Sequence, residues 1–469
     1  MLQLNPLAAM VLAAVSGLWL LSRRRWKSRA QGNPLPPGPP SKLLIGNILH
    51  VSPKQPWFKL YEYKKQYGDL VFFYGLGNNV LVLNTMEAVS DLLDKRGNIY
   101  SHRPEFTVVG ELMALGQSMP LLPYGNEWRA HRKLAHVALS PGAVKQYHEL
   151  QEDLAALLNK AILNKPEEFF SHYIAQVQLS ILAHETMDMI GKATVPGAYL
   201  ADLIPICKLL KHLPSWFPFH KEARLGRAMI DEFVTKPYEH VKHDLSVGEA
   251  KPSLTQRLLS SEKVEGLDNY EHRVKWTAGA SAMYGAGGET TYSTVLLYIM
   301  LMAMHPEIQS ADRLPVIADR SQMPYLPAVT KETMRWHLIL PLNDVYFKGT
   351  TVLPNVWAIA LESDGKYDPE SFIPKRFLDS SIQPIDPNLY AFGFGRRICP
   401  GQYLAQNSLF VIMANLASAF DIFPPAEGKI EPSFGPNLVS YPEPFKCIIK
   451  PRSASKATLV ESRAGQCNV

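Results

Sequence analysis

One cysteine in this chain stands where its chemistry can be tuned. Phe392-Gly393-Phe394-Gly395-Arg396-Arg397-Ile398-Cys399-Pro400-Gly401 is a glycine-rich loop that leads directly into a helical stretch. A helix N-terminus and neighbouring arginines favour a thiolate over a thiol. Backbone amides around a sulfur can tune a metal-bound thiolate further. A lone cysteine is a poor zinc or iron–sulfur site, because those centres take three or four protein ligands. It suits a single axial position on a haem iron. From these residues alone three readings stay open: a haem ligand, a nucleophile and a structural thiol.

The elements that must position such a loop are mainly helical. Leu404 to Phe420 reads as a helix through Leu409, Val411, Leu416 and Phe420. Leu150 to Leu163, Ile174 to Ile190 and Arg273 to Met304 also carry apolar residues at three and four spacing. The last is long enough to run through a core. Leu70 to Leu76 and Asn79 to Asn84 read as strands, and Gly77-Asn78 between them suggests a hairpin. Met86 to Arg96 looks helical. Leu213-Pro214-Ser215-Trp216-Phe217-Pro218-Phe219 is apolar but broken by prolines, and either dips into a membrane surface or is buried. Glu332 and Arg335 are three apart and share a helix face.

Composition bounds the class. Hydrophobic residues make up 46% and charged residues 19%, which rules out a disordered, collagen-like or coiled-coil chain. The net charge of +5 over 469 residues is too small to argue for nucleic acid. Only four cysteines are present, so the chain is no disulfide scaffold. Leu2 to Leu21 is a nearly unbroken apolar stretch, followed at once by Arg23, Arg24, Arg25, Lys27 and Arg29. Twenty helical residues span about 30 Å, the thickness of one hydrocarbon core. The expectation is a membrane anchor over 1–22 with everything after it in the cytosol. A basic and proline-rich linker over 23–40, a catalytic domain over 41–455 and a flexible tail over 456–469 complete the expected organisation.

The Cys399 loop resembles the haem-binding signature of the cytochromes P450, with Phe392, Gly395, Arg397, Cys399 and Gly401 all matching. Four further segments resemble elements of that family in its order. They are Trp128-Arg129-Ala130-His131-Arg132, Ala286-Gly287-Gly288-Glu289-Thr290-Thr291, Glu332-Thr333-Met334-Arg335 and Pro374-Lys375-Arg376-Phe377. The similarity spans about residues 35 to 455 and looks closest to fungal (basidiomycete-like) microsomal enzymes of secondary metabolism. It implies a mainly α fold with small β-sheets (α+β), here with an N-terminal transmembrane helix.

The resemblance also assigns roles. Cys399 would be the axial thiolate of haem b. Arg397 and Arg132 would meet the haem propionates in a fork geometry, and Trp128 would donate its indole N–H to one. Phe392 would shield the sulfur, and Gly395 and Gly401 would shape the loop. Thr290 would hydrogen-bond to bound dioxygen or to water, and Glu289 would relay protons. Glu332, Arg335 and Arg376 would form a buried structural ion network. His131, the tempting alternative ligand, reads as a surface residue of a basic helix. The loop around Phe106 to Leu122, the helix near Ala282 and the turn around Pro436 to Val439 would line a mostly apolar pocket.

The implied function is insertion of one oxygen atom from O2 into a hydrophobic small molecule, a terpenoid being the family prior. Electrons would come from NADPH through a separate NADPH-cytochrome P450 reductase, with cytochrome b5 as a further partner. No dinucleotide or flavin motif is seen in the chain itself. The expected location is the endoplasmic reticulum membrane, single-pass, with membrane lipid as a neighbour. The competing classes are an O2-independent haem-thiolate isomerase or dehydratase, and a catalytically impaired homologue acting as a haem-binding or scaffold protein. The presence of Glu289 and Thr290 argues against the branch that rearranges peroxides.

Three stretches look shorter than the resemblance implies: near 309–310, 342–349 and 362–367. The second matters most, because in the family it reaches towards the pocket and a propionate. A trimmed working enzyme, an imperfect gene model and a degraded homologue are the readings this leaves.

Overall fold

Helix α7, Glu289–Met304, carries an apolar side chain at almost every position from Val295 to Ala303, and each of these is buried. A helix that is hydrophobic all round belongs inside a core. The computed structural model describes Gly17 and residues 33–467, except 43–44, 53, 172–185, 187–188, 191–192, 194–198, 204, 262–267, 285–288, 309–314, 343–344, 348 and 437–438.

Around α7 the longer helices follow in chain order. They are α1 Pro56–Tyr67, α2 Asn126–Leu139, α3 His148–Asn164, α4 Pro218–Val247, α5 Leu254–Ser260 and α6 Tyr270–Tyr284. After α7 come α8 Tyr325–Trp336, α9 Val356–Ala360, α10 Gln402–Ala419 and α11 Ala454–Gly465. Local chemistry sets their ends. The Ser253 hydroxyl caps α5 at the Gln256 amide, 3.0 Å away, and Ser453 caps α11 at Lys456. Pro218 starts α4, and Gly248 in the left-handed region ends it.

Helices α7, α8 and α10 pack on one another, and α3 covers α10. Leu297, Leu301, Leu416, Met413 and Phe420 meet in the largest apolar cluster. The strands β1 Leu70–Gly75, β2 Asn78–Leu83, β3 Val345–Phe347 and β4 Thr350–Pro354 form one sheet in the order β1-β2-β4-β3. β1 and β2 are antiparallel, β2 and β4 parallel, and β3 and β4 antiparallel. The hairpin turn is Leu76-Gly77, both at positive φ, one residue earlier than the sequence suggests. β5 Phe420–Phe423 pairs with β6 Ile448–Pro451. The proline-rich stretch is docked rather than free: the Pro37 carbonyl accepts from the Phe72 amide at 2.8 Å and that of Pro39 from Asn47 at 2.9 Å.

Several expectations change. The α+β class stands, but without a transmembrane helix: no helix among the described residues is long and apolar enough to cross a membrane. A span needs about 20 apolar residues in one helix; α4 is long enough but amphipathic, and α7 is apolar but only 16 residues long. The stretch 1–22 itself lies, apart from Gly17, outside the described residues. The single-pass endoplasmic reticulum placement is withdrawn with it.

The helix expected over Arg273 to Met304 is described as two pieces, α6 and α7, on either side of 285–288. Most of the helix expected over Ile174 to Ile190 lies outside the described residues. The expected flexible tail is instead α11, held on α3 by Val460, Ala464 and an Arg463–Asp153 ion pair of 2.7 Å. The Trp216 stretch is not buried: its indole is 75% exposed.

Leu301 is fully buried between these helices. Leu301→Ala is expected to cost about 2–5 kcal/mol, seen as a lowered thermal midpoint with an unchanged far-ultraviolet circular dichroism spectrum.

Candidate active site

The loop that carries Cys399 is folded back on itself. The Cys399 amide donates to the Phe392 carbonyl at 2.8 Å, closing the turn across Gly393 to Ile398. Gly395 sits at φ +54°, and a Cβ there would lie 2.1 Å from the Leu93 carbonyl oxygen, so only glycine fits. Phe392 is half-buried against the main core cluster. Gly401 is the N-cap of α10, which places the sulfur at the start of that helix. Burial pushes the Cys399 thiol up, while the Gly401 amide and the Arg132 guanidinium pull it back.

Residues far apart in sequence converge on this loop. Arg132, from α2, donates from Nη1 to the Ile398 carbonyl, next to the cysteine. Trp128, one turn earlier, is buried, and the Arg397 guanidinium lies over its ring at 4.7 Å. Arg397 donates from Nε to the Ser101 carbonyl and from Nη2 to that of Leu122, each at 2.7 Å, and from Nη1 to that of Met119 at 3.2 Å. It therefore braces the 101–122 segment against the cysteine loop, and a carboxylate reaching it would have to share these donors. Thr290 is half-buried in α7, and its carbonyl accepts from Thr294 Oγ1 at 2.8 Å. Glu289 opens α7, and its side chain is outside the described features, as are Ala286 to Gly288.

His131 is not a surface residue. Its ring is 2% exposed, with Nδ1 3.0 Å from Thr277 Oγ1 and Nε2 3.3 Å from Glu127. Glu127 in turn holds Arg273 through two bonds of 2.8 and 2.9 Å. These pairs fasten α2, with Trp128 and Arg132, to α6. Helical spacing puts His131 on the inner face of α2, but only the neighbour α6 reveals its partner.

The expected ion network is present and larger than the sequence suggested. Glu332 accepts from Arg335 at 2.7 and 2.9 Å, from Arg376 at 3.1 Å and from the Ile373 amide at 2.7 Å. All three charged residues are buried. A fourth member, Asp364, was not legible in the sequence: its carboxylate takes a 2.6 Å bond from Arg376. Burial opposes its charge, but the Tyr367 and Lys366 amides and Arg376 together hold its carboxyl below the usual range.

The donor set fits one kind of centre. No cluster of three or more metal-ligating side chains occurs among the described residues. A single sulfur in a loop lined by arginines and an indole fits an iron already held by a macrocycle, which needs one axial protein ligand. The site thus has the make-up of a haem-thiolate centre, one sulfur with arginines and an indole beside it.

The comparisons with known proteins agree. The cytochrome P450 family profile matches residues 36–449, and the chain belongs to that family. It is 32% identical to the cytochrome P450 monooxygenase claR of Ampulloclitocybe clavipes, covering 91% of this chain and 88% of the relative. It is also 32% identical to the monooxygenase COX2 of Coprinopsis cinerea, covering 98% and 96%. That alignment runs over 516 positions, longer than the 469-residue chain, so the relative carries residues without a counterpart here. A zebrafish cytochrome P450 solved with abiraterone shares the fold, with a TM-score of 0.65 at 22% identity over 85% of this chain and all of the other. The chain is a haem-thiolate monooxygenase related to fungal enzymes of secondary metabolism. Family membership carries with it a reductase partner supplied by NADPH and a small-molecule substrate.

Two predictions follow from the buried groups. Glu332→Ala strands the buried Arg335 guanidinium and leaves Arg376 to Asp364 alone, and is expected to cost about 3–5 kcal/mol, measured as lost soluble holoprotein. Burial pushes His131 down to about 4, against the pull of Glu127, and His337 down to about 3. Unfolded histidines take up protons near pH 6.5. Below that pH, down to the folded values, the unfolded chain binds more protons, so stability falls as pH drops. The thermal midpoint should fall between pH 7 and pH 5, and less steeply in His131→Gln.

Proposed function

We propose that Cys399 would ligate the iron of haem b and that Arg132, Arg397 and Trp128 would hold its propionates. The observation that carries this is their convergence: the indole of Trp128 lies under the Arg397 guanidinium, and Arg132 bonds the residue before the cysteine. Bound haem supplies the one-electron and dioxygen chemistry. The chain's own residues set its conditions. The Gly401 amide and Arg132 favour the charged sulfur against the cost of its burial. Gly395 lets the loop approach Leu93 without a side chain between them.

Thr290 holds a proton-bearing hydroxyl in α7, and Glu289 before it is the acid that replenishes that proton from water. The carbonyl of Thr290 is already engaged by Thr294, a bond of the kind that bends helices. Glu332, Arg335 and Arg376 act at a distance, by fixing the segment that leads to the cysteine loop.

The substrate is a hydrophobic or amphipathic small molecule, with a terpenoid as the leading class. The 106–122 segment would line an apolar pocket, and Val108, Val109, Met113 and Leu115 anchor it in an apolar cluster. Electrons arrive from NADPH through a reductase that docks near exposed Arg396 and Arg129, where basic charge suits an acidic partner. Cytochrome b5 fits the same face. Residues 41–455 act as one catalytic domain.

Reduced protein under CO should give the long-wavelength Soret band of a thiolate-bound haem. Cys399→Ala should abolish it together with product formation. Persistence of either would overturn the assignment. Thr290→Ala should keep that band but raise peroxide release per NADPH consumed several-fold. Unchanged coupling would remove Thr290 from the mechanism.

A further inference from the structure

Tyr124 stands just before α2 with four charged or aromatic side chains around its ring. Gly125 is the N-cap of α2, so Tyr124 is the residue before the cap and Arg129 is the fourth helical residue. Side chains at these two positions meet across a helix start. Here the meeting is a cation over a ring: the Arg129 guanidinium lies 5.3 Å from the Tyr124 ring centre. Arg396, from the cysteine loop, lies 5.5 Å from the same centre and donates from Nη1 to the phenol oxygen.

Trp128 packs on the deeper side of this ring. The two ring centres are 5.2 Å apart, and the planes are tilted by 49°. The indole is 6% exposed, and the Arg397 guanidinium lies over it at 4.7 Å. An indole held between a cation and a second ring has little freedom to turn.

On its outer side Tyr124 meets the ring of His102, edge to face at 6.0 Å. His102 and Pro123 both line a surface cleft beside β3. The order from solvent inwards is cleft, His102, Tyr124, Trp128. Tyr124 is thus the ring that stands between the indole and the water of the cleft.

These contacts differ in weight. Arg129 and Arg396 are exposed, so water weakens their attraction to the ring. The bond from Arg396 to the hydroxyl sits at the same wet rim. The face against Trp128 excludes water, and a smaller side chain cannot replace it.

We propose that Tyr124 is a positioning residue for haem retention: its ring fixes the Trp128 indole towards the propionates and closes it off from the cleft. The proposal rests on the reading that Trp128 would hold a propionate.

The test uses the purified holoprotein and two readouts. Transfer of haem to excess apomyoglobin gives the rate of haem loss. Proton exchange of the Trp128 indole N–H, followed by its nitrogen-15 resonance in the reduced CO complex, reports the access of water. The Trp128→Phe spectrum identifies that resonance. Tyr124→Ala should raise haem loss by about five- to tenfold and speed indole exchange by about tenfold. Tyr124→Phe keeps the ring and loses only the hydroxyl, so it should stay within about twofold of the wild type in both. In a Trp128→Phe background, Tyr124→Ala should change haem loss by less than about twofold, because the indole it acts through is gone.

Equal acceleration of haem loss in both backgrounds would mean general loosening at the start of α2 and would overturn the proposal. Unchanged haem loss or unchanged indole exchange in Tyr124→Ala would do the same. An effect of Tyr124→Phe as large as that of Tyr124→Ala would place the role in the hydroxyl and Arg396, against the proposal. Haem loss unaltered by Trp128→Phe alone would overturn the propionate reading, and the proposal with it. Should Tyr124→Ala fail to hold haem, Tyr124→Leu keeps apolar volume without a flat ring. It should still lose haem several-fold faster than the wild type, and a wild-type rate there would overturn the proposal.

Discussion

Two guanidinium groups lie in the interior beside α8, and the site depends on their being neutralised there. Glu332 answers both, and Arg376 is shared with Asp364. The remaining donors of Arg335 go to the carbonyls of Ala360, Pro369 and Ser371. A buried network of this kind gives little net stability over an apolar replacement, but breaking one member is severe. Its value here is positional. It fixes the irregular chain from Ala360 to Phe377 against α8, where no ladder or helix could do so. The same helix reaches the cysteine loop from another side: Lys331 pairs with Asp386 at 2.6 Å, and Asp386 caps the turn that leads to Tyr390. The position of Cys399 is thus inherited from charges that do no chemistry.

The opposite flank is held by different means. Helix α2 presents Trp128 and Arg132 to the loop, while His131 and Glu127 tie it to α6. Arg397 closes the gap between them by donating to three carbonyls of the 101–122 segment. The cysteine loop is therefore held through ion pairs on one flank and by side chain to main-chain bonds on the other, which specify a position more narrowly than apolar contact does.

What could be read from the sequence was local. The cysteine loop, the first hairpin and the Glu332–Arg335 pair all announce themselves within a few residues. His131 was misread because its burial depends on α6, nearly 150 residues on, meeting α2 at Thr277. Asp364 was missed because an aspartate between Ser363 and Gly365 looks like any exposed turn. Residues 456–467 were read as tail, yet they form a helix that packs on α3 and pairs Arg463 with Asp153. In each case the missing information was a partner supplied by tertiary packing. The apolar run at the N-terminus shows the reverse error, since length and hydropathy there suggested a span that no described helix supplies.

The shortened stretches can be weighed on the same physical terms. β3 is only three residues long, at the edge of the sheet where the sequence looked trimmed. An edge strand this short would hold poorly by one ladder alone. It is supported on its other side, where the Tyr346 amide donates to the His102 carbonyl at 2.8 Å and Phe347 packs on Tyr100 at 4.9 Å. A cleft of about 490 Å³ opens beside it, between Asn98, His102, Arg103 and Phe347. The 342–349 stretch thus borders a sheet edge and a surface cleft. The cleft adjoins the site through His102, which packs on Tyr124 beside Trp128. Beside the 362–367 stretch the buried charges that are costliest to leave unpaired are all paired, Asp364 among them.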